Sequence, residues 1–227
     1  MSWQQIWNEI SLIEGWLNYP VAKLLHEKAK RVPNDLPIVE IGSWKGRSTV
    51  LLSKSSTSSK VYAIDPHIGS SEHHGLSEKP IDTFEEFKRN LKSANVTDKV
   101  IVIRKASRDA LDDIPDKIGM LWIDGSHEYK DVYDDFKLWF PRLIEGGHVL
   151  FHDSKWPGVK QVLWEELYTS CEVSFIGRTE DTTFAKKRSQ ANLVERAYNT
   201  LVLRRYKKAH QLKRLKRKLK KQIKKWK

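Results

Sequence analysis

Residues 38–48 read Ile-Val-Glu-Ile-Gly-Ser-Trp-Lys-Gly-Arg-Ser, and this stretch decides the fold. Its apolar start predicts a short buried strand at 38–41, its two glycines predict a tight loop, and residues 48–52 predict the start of a helix. Glycines allow a ligand to approach the backbone closely, and the unpaired N–H groups of a helix start favour negative charge. The stretch is therefore typical of a site for a nucleotide-like ligand, although a purely structural turn between strand and helix would read the same way.

The spacing of the glycines excludes the two commonest nucleotide signatures. No Lys-Ser/Thr pair closes a P-loop, and the dinucleotide pattern would require glycines at Trp44 and Arg47. The pattern present, E-x-G-x-x-x-G-x-S, resembles the cofactor loop of class I S-adenosylmethionine-dependent methyltransferases. The resemblance implies that Glu40 attracts the cationic methionine part of the cofactor, while Ser48 and nearby amides hold its carboxylate. The cofactor-binding residues predicted in this loop are Glu40, Gly42, Ser43, Gly46 and Ser48.

The composition limits the class of protein. The single cysteine, Cys171, excludes an internal disulfide and favours a cytoplasmic location. No apolar run is long enough to span a bilayer, and the first residues do not resemble a signal peptide. The formal net charge of +12 is uneven, because residues 190–227 hold 15 Lys and Arg and one acid, whereas residues 1–189 hold 26 basic and 28 acidic side chains. The basicity of the chain therefore says nothing about its globular part.

The order of the predicted elements indicates an α/β fold. Helical spacing in residues 3–31 predicts two amphipathic helices, which either cover a face of the sheet or help to close the site. Strands and helices then alternate five times, with a turn at Gly146-Gly147 before the fifth strand, and end in a hairpin. We therefore predict a Rossmann-like, seven-stranded, mostly parallel sheet with helices on both faces. The predicted domains are N-terminal helices at 1–35, the S-adenosylmethionine-dependent methyltransferase domain at 36–189 and a basic amphipathic helical tail at 190–227.

Two further candidate cofactor ligands follow predicted strands. Asp65 ends the second strand, where a carboxylate can accept both ribose hydroxyls, and Ser107 follows the third, where its hydroxyl could border an adenine. Between them, residues 67–80 are polar and rich in glycine and predict a mobile loop at the carboxyl edge of the sheet. The histidines of this loop have no recognised metal-ligand spacing, so we interpret them as solvated and keep only His67 as a candidate.

Ionisable side chains follow two neighbouring predicted strands. Asp124 and His127 follow the fourth strand, and His152 and Asp153 follow the fifth, so all four should converge beside the glycine loop. Methyl transfer from a sulfonium ion to an alcohol requires the hydroxyl to lose its proton, and a neutral imidazole suits that task near neutral pH. A divalent ion on Asp124 and Asp153 would lower the pKa of the hydroxyl. The alternative is that both acids only cap strand ends.

The motifs D-G-x-H-x-Y at 124–129 and H-D-S at 152–154 are similar to those of the Mg-dependent sugar O-methyltransferases of macrolide and aminocoumarin biosynthesis. They also resemble related bacterial methyltransferases grouped with cephalosporin-biosynthesis proteins, and the resemblance covers residues 36–185. It implies that Asp124, His152 and Asp153 hold the metal, Mg or Mn, that His127 is the catalytic base, and that Asp124 belongs to the catalytic and cofactor-binding sets as well. His152 stands where better-known members have an acid, and an imidazole favours softer ions or a weaker site.

The tail predicts a basic amphipathic helix, because its apolar residues recur mostly every three or four positions among Lys and Arg. These residues are Val194, Ala197, Leu201, Ala209, Leu212, Leu215, Leu219, Ile223 and Trp226. An interfacial helix on an anionic membrane, a nucleic-acid arm, a partner helix and a solvated tail all compete. The narrow leucine stripe and Trp226 favour a membrane surface for residues 194–227.

Together these features predict an S-adenosylmethionine-dependent O-methyltransferase with a His base and metal assistance. Its acceptor would be a hydroxyl of a sugar, a glycan or glycolipid, or a small molecule, and the protein would sit in the cytoplasm, peripheral to the inner face of the membrane. A homo-oligomer is compatible with the sequence. An RNA methyltransferase is the alternative, disfavoured because the core is nearly neutral and lacks an N-P-P-Y-like clamp for a flipped base. A non-catalytic scaffold is disfavoured by the intact loop and strand-end residues.

Overall fold

The computed structural model describes residues 1–70 and 80–225 and contains one seven-stranded sheet. The strands are β1 (Ile38–Ile41), β2 (Val61–Ile64), β3 (Val100–Ile103), β4 (Ile118–Ile123), β5 (Leu143–Phe151), β6 (Val173–Thr179) and β7 (Thr182–Lys187). Their order is β3-β2-β1-β4-β5-β7-β6, in which β1 to β5 are parallel and β7 is antiparallel to both of its neighbours. The predicted mostly parallel, Rossmann-like sheet is confirmed.

Helices cover both faces of this sheet, as predicted. They are α1 (Trp3–Ile10), α2 (Tyr19–Ala29), α3 (Arg47–Ser55), α4 (Phe84–Ser93), α5 (Tyr129–Trp139), α6 (Pro157–Val162) and α7 (Leu193–Lys225). Helices α1 to α4 pack on one face, where Trp122 and Leu150 are buried, and α5, α6 and part of α7 pack on the other. Because alternate residues of a strand point to opposite faces, Ile123 and Phe151 belong to the second core.

The fifth strand begins earlier than the sequence suggests, and the predicted Gly146-Gly147 turn is wrong. Both glycines lie within β5, where Gly146 has a φ of +83° and a Cβ on Gly147 would lie 2.7 Å from the Leu143 side chain. The register between β4 and β5 also shifts between Ile118 and Met120. The two glycines therefore mark an irregularity inside a strand. Glycine is common both at such irregularities and in turns, so the sequence alone does not distinguish the two.

The C-terminal helix is anchored to the domain over its first turns. Asn199 is 1% exposed and donates a hydrogen bond to the Val173 carbonyl at 2.8 Å, and Val202 and Leu203 pack against the core. Farther along, Leu212 and Leu215 are exposed. The helix therefore packs on the domain up to about residue 210 and extends from it beyond that point. We had predicted that the domain ends at residue 189.

Some of the tail and loop predictions fall outside the described residues. They concern Trp226 and the side chains of Leu219 and Ile223 in the tail, and His73 and His74 in the loop. Among the residues that the structure describes, no helix has both the length and the apolar content needed to cross a bilayer.

Candidate active site

A cavity of about 550 Å³ opens at the carboxyl ends of the parallel strands, a size typical of small-molecule sites. Most of the predicted site residues line it, namely Gly42, Ser43, Ser48, Asp65, Ser107, Asp124, His127, His152 and Asp153. Glu40 and Gly46 do not line it. The topology of the sheet therefore brings together side chains from five separate strand ends, as expected for this class of fold.

The glycine loop is shaped by contact between two strand ends. Gly42 has a φ of +88°, and a Cβ there would lie 2.3 Å from the carbonyl oxygen of Asp124. Gly46 has a φ of +91° and is the N-cap of α3, which has no side-chain cap. No side chain therefore caps the first N–H groups of α3, which lie beside the cavity and favour an anionic group there.

Glu40 lies beneath the loop and is fully buried. The Thr49 hydroxyl donates a hydrogen bond to its Oε2 at 2.5 Å, while Oε1 has no hydrogen-bond partner among the described residues. Burial raises the pKa of Glu40 to about 8, even though the hydroxyls of Ser48 and Thr49 favour its charged form. Near pH 7 Glu40 is therefore mostly protonated, and it lies behind the loop without lining the cavity.

Asp65 ties the second strand to the glycine loop. Its Oδ2 accepts a hydrogen bond from the Trp44 backbone N–H at 2.7 Å, and its Oδ1 accepts one from the His67 N–H at 2.6 Å. A carboxylate oxygen can accept more than one hydrogen bond, so Asp65 can still receive hydroxyl donors from the cavity. The carboxylate therefore fixes the loop and faces the cavity.

His67 is packed into the protein, which argues against a role as a solvated loop residue. It is fully buried, its Nδ1 lies 2.9 Å from the Thr83 hydroxyl, and its ring contacts Phe84 and Phe87. Burial lowers its pKa, so the ring is neutral near pH 7. Its position indicates a structural role.

Ser107 meets an acid that the sequence analysis missed. Its hydroxyl donates a hydrogen bond to Asp135, which lines the cavity from α5 and is 5% exposed. Burial raises the pKa of Asp135 to about 7. An acid on the apolar side of a helix, in register with Val132 and Trp139, was the available signal.

The two histidines and two acids at the ends of β4 and β5 form one cluster. His152 Nδ1 lies 2.9 Å from Asp124 Oδ1 and 3.1 Å from Asp153 Oδ2. His127 Nε2 lies 3.0 Å from the same Asp153 oxygen. The predicted convergence of these four side chains is therefore observed.

Charges within the cluster are strongly coupled. Burial opposes a charge on His152, but the carboxylates of Asp124 and Asp153 outweigh it and raise the pKa of His152 to about 11. Burial would raise the pKa of Asp153, yet hydrogen bonds from His127 and His152 hold it well below its usual range. Near pH 7 His152 is an imidazolium and Asp153 is a carboxylate.

The donor set of the cluster fits a divalent metal ion. One ligand atom from each of Asp124, His152 and Asp153 can be chosen so that all three lie within 4.8 Å of one another. Two oxygens and one nitrogen suit Mn²⁺ better than Mg²⁺, which prefers oxygen ligands. A ligating imidazole must be neutral, so a metal and the proton on His152 compete for the same position.

The segment between α1 and α2 also reaches the cavity, so the N-terminal helices both cover the sheet and help to close the site. Arg47 donates a hydrogen bond to the Gly15 carbonyl at 2.7 Å, and Lys45 pairs with Glu14 at 2.6 Å. Trp16 is 64% exposed and lies with its ring centroid 5.7 Å from that of Trp44. The helical spacing in residues 3–31 left open whether these helices help to close the site, and it did not predict the contact with the glycine loop.

A second aromatic surface lies beside the cluster. Trp156 is 43% exposed and stacks on the His127 ring, with centroids 4.5 Å apart and planes 15° apart. Trp16 and Trp156 thus both offer flat apolar rings to solvent near cavity-lining residues. Nine tryptophans in 227 residues were a visible signal, but their grouping depends on the fold.

Comparison with known proteins identifies the family and the fold. Residues 39–154 match a family model described as a methyltransferase domain. A stretch of 125 residues is 30% identical to the "Uncharacterized protein R132" of Acanthamoeba polyphaga mimivirus and covers 53% of this chain and 52% of that protein. The chain therefore spans about half the length of that relative.

Solved structures share the fold. The O-methyltransferase NovP has a TM-score of 0.60 and 19% identity, over 74% of this chain and 79% of that chain. The O-methyltransferase TomG from Streptomyces achromogenes, involved in tomaymycin synthesis and solved in complex with S-adenosylmethionine, has a TM-score of 0.59 and 19% identity, over 82% and 87% of the two chains.

Proposed function

The chain belongs to the methyltransferase domain family, and we propose that it transfers the methyl group of S-adenosylmethionine to a hydroxyl of a sugar-containing acceptor. The observation that carries this proposal is that the glycine loop, Asp65 and the His127–Asp153 pair all face one cavity. A cavity with the cofactor-binding residues but no base would be expected of a non-catalytic scaffold. A cavity with the base but no cofactor-binding residues would be expected of a hydrolase.

The cavity offers a suitable partner for each part of the cofactor. The start of α3 and Arg47 would hold the carboxylate, Asp65 the ribose hydroxyls, and Ser107 with Asp135 the adenine. The Ser43 hydroxyl lines the cavity and is buried with no hydrogen-bond partner among the described residues, as expected of a ligand contact. When bound, S-adenosylmethionine supplies an electrophilic methyl group on a cationic sulfur.

His127 is the proposed general base. The Asp153 carboxylate can only accept a hydrogen bond, so His127 Nε2 carries the proton between them and Nδ1 carries the lone pair. As the acceptor oxygen gains the methyl group, its proton passes to Nδ1, and Asp153 stabilises the resulting imidazolium. Asp153 acts on the reaction through His127 and is a positioning residue in this step.

A divalent ion held by Asp124, His152 and Asp153 would lower the pKa of the acceptor hydroxyl and assist its deprotonation. The imidazole among the three ligands favours Mn²⁺ over Mg²⁺ at this site.

The aromatic surfaces support a sugar-containing acceptor. The exposed rings of Trp16 and Trp156 lie near the cavity and can pack against the C–H face of a sugar ring. Glu128 and Asp131 also line the cavity and can accept hydrogen bonds from sugar hydroxyls. The resemblance of the D-G-x-H and H-D-S motifs to sugar O-methyltransferases agrees with this choice.

The end of α7 supports a location at an anionic membrane surface. Leu212 and Leu215 are exposed three positions apart on a helix rich in Lys and Arg. Apolar burial and electrostatic attraction act together at such a surface, where each basic residue contributes on the order of 1 kcal/mol. An electrostatic nucleic-acid arm has no need of the leucines.

A labelling experiment tests the proposed reaction. The protein is incubated with methyl-labelled S-adenosylmethionine and a panel of nucleotide sugars, lipid-linked glycans and RNA. We expect label in a sugar-containing acceptor with the unmodified protein and its loss with His127→Asn. Label in RNA alone would replace this proposal with the nucleic-acid alternative.

A further inference from the structure

A second concave site lies away from the active-site cavity and shares no lining residue with it. It has a volume of about 350 Å³ and is formed by the end of α2, the first half of β5 and the β6–β7 hairpin. Its lining residues are Lys28, Arg31, Gly146, His148, Phe175, Phe184 and Lys186. None of these residues has a part in the proposed methyl transfer.

The charges of this pocket are all basic. Lys28, Arg31 and Lys186 line it together with His148, and no carboxylate does. Some basic side chains elsewhere are paired with acids, as Lys45 is with Glu14 and Glu86. Within residues 1–70 and 80–225, none of the three pocket cations forms an ion pair.

The like charges add to the effect of burial on the pKa values in this pocket. Burial lowers the pKa of His148 to about 4, with further lowering by Lys28, Lys186 and Arg31. Burial also lowers the pKa of Lys28, and the charges of Arg31 and Lys186 add to that effect. Such repulsion opposes the compact state unless an anion offsets it.

The apolar wall of the pocket is built by an irregular strand. Phe175 is 57% exposed and has a φ of +52°, a conformation that is strained for an aromatic residue, and the β6–β7 register shifts between Ser174 and Gly177. The Lys28 ammonium lies 4.7 Å from the centre of the Phe184 ring. Bulges commonly change the direction of a side chain at functional sites. Here the bulge places the Phe175 ring in the same pocket as the three basic side chains.

We propose that this pocket binds the phosphoryl group of a phosphorylated molecule. Lys28, Arg31 and Lys186 would contact the phosphate oxygens, because a guanidinium offers paired donors and three cations match a group with more than one negative charge. The rings of Phe175 and Phe184 would contact the rest of the ligand. The inference is independent of the methyl transfer reaction.

Titration with inorganic pyrophosphate tests the site. We expect saturable binding by calorimetry at constant ionic strength, together with a rise in the His148 pKa measured from its ring resonances by NMR. Arg31→Gln and Lys186→Gln should each weaken binding by about ten- to a hundredfold, the range for a lost hydrogen bond to a charged group. No saturable binding of pyrophosphate, or binding without a shift of the His148 resonances, would overturn the proposal.

A matched control separates a built site from general attraction. Lys30→Gln also removes one positive charge, at the end of α2 between Lys28 and Arg31. Lys30 is exposed and does not line the pocket. The Lys30→Gln variant should bind pyrophosphate within about twofold of the unmodified protein, since an exposed side chain that does not line the pocket makes no direct contact with the ligand and its charge is screened by solvent. Equal weakening by Lys30→Gln and Lys186→Gln would overturn the proposal. Without pyrophosphate, Lys186→Gln should melt no lower than the unmodified protein, which shows that the variant is folded.

Vesicles identify the source of the phosphoryl group. Phosphatidic acid vesicles are compared with phosphatidylcholine vesicles, using the full chain and Lys186→Gln. Weaker binding of Lys186→Gln to phosphatidic acid vesicles, with competition by pyrophosphate, assigns the pocket to a lipid headgroup. If vesicle binding is unchanged while pyrophosphate binding is weakened, the phosphoryl group belongs to a soluble ligand, and the pocket assignment stands in both cases.

Discussion

The Nδ1 atom of His152 contacts two carboxylates, and the charge state of the ring decides how the active-site cluster is held together. An acid at this position would place three carboxylates together, whose repulsion only a bound cation could offset. A protonated His152 offsets the repulsion of Asp124 and Asp153 itself. We therefore expect the arrangement of these side chains to depend less on a bound metal ion than it would with an acid at position 152.

The first prediction concerns stability against pH. The folded-state pKa of His152 is about 11, above the ordinary value of 6.5, so its contribution is complete below about pH 6.5 and is lost as the pH rises through about 11. His152→Gln should therefore flatten the fall of the free energy of unfolding between pH 7 and 10. Urea denaturation at several pH values, with chelator present, measures this. If the dependence of the free energy of unfolding on pH were the same in the variant, Asp124 and Asp153 would not raise the pKa of His152 in the folded protein.

The second prediction concerns Glu40. Its folded-state pKa of about 8 lies above the ordinary 4.5, so between those values the folded state binds more protons and stability falls as the pH rises. Glu40→Gln removes this ionisation and should raise the free energy of unfolding at pH 8 by about 1–3 kcal/mol. Urea denaturation of both proteins at pH 8 measures the difference. A variant less stable at pH 8 would contradict the buried, protonated acid.

The third prediction concerns the base. His127→Asn should lower kcat by about 10²- to 10⁴-fold, the usual contribution of a general base, and leave the affinity for S-adenosylhomocysteine nearly unchanged. Single-turnover rates and calorimetry separate the two quantities. A loss of cofactor affinity with an unchanged rate would move His127 from the base to the cofactor site.

At the scale of elements, the β1–loop–α3 unit was predictable because its periodicity, glycines and helix start agree with one another. Asp124, His127, His152 and Asp153 were predictable because the ends of neighbouring parallel strands meet. Arg47, Trp16 and Asp135 were missed as site residues, since their roles depend on contacts between elements far apart in sequence. The strand through Gly146-Gly147 was missed because a turn and a strand irregularity both favour glycine.

The fourth prediction tests the junction of β1 and β4. Gly42→Ala would place a Cβ 2.3 Å from the Asp124 carbonyl at a φ of +88°, and should destabilise the protein by about 2–4 kcal/mol. Gly125→Ala is the matched control, because its Cβ would meet Ile41 at an ordinary 3.4 Å. Urea denaturation of both variants gives the comparison. Similar stabilities would show that the two strand ends are farther apart than described.

At the scale of the whole molecule, the chain combines a nearly neutral domain with a basic helix that is anchored at one end. The anchor includes Asn199, Val202 and Leu203, whereas Leu212 and Leu215 are exposed. The sequence predicted the helix from its periodicity, but it could not show where the helix leaves the domain, because apolar residues recur along its whole length.

The fifth prediction separates these two parts. Deleting residues 211–227 should leave the melting temperature nearly unchanged and abolish sedimentation with anionic vesicles, whereas deleting residues 193–227 should destabilise the domain by uncovering its core. Leu212→Ser with Leu215→Ser should weaken vesicle binding at constant charge. If it does not, and RNA competes with vesicles with a steep salt dependence, the tail is a nucleic-acid arm.

Calorimetric titration with S-adenosylhomocysteine tests most directly whether the cavity is a cofactor site. We expect one saturable site per chain, about tenfold weaker in Asp65→Asn, because the ribose hydroxyls lose a charged acceptor. Asp112→Asn, an exposed acid outside the cavity, should bind like the unmodified protein. Absence of saturable binding, or equal affinity in Asp65→Asn and the unmodified protein, would contradict the assignment.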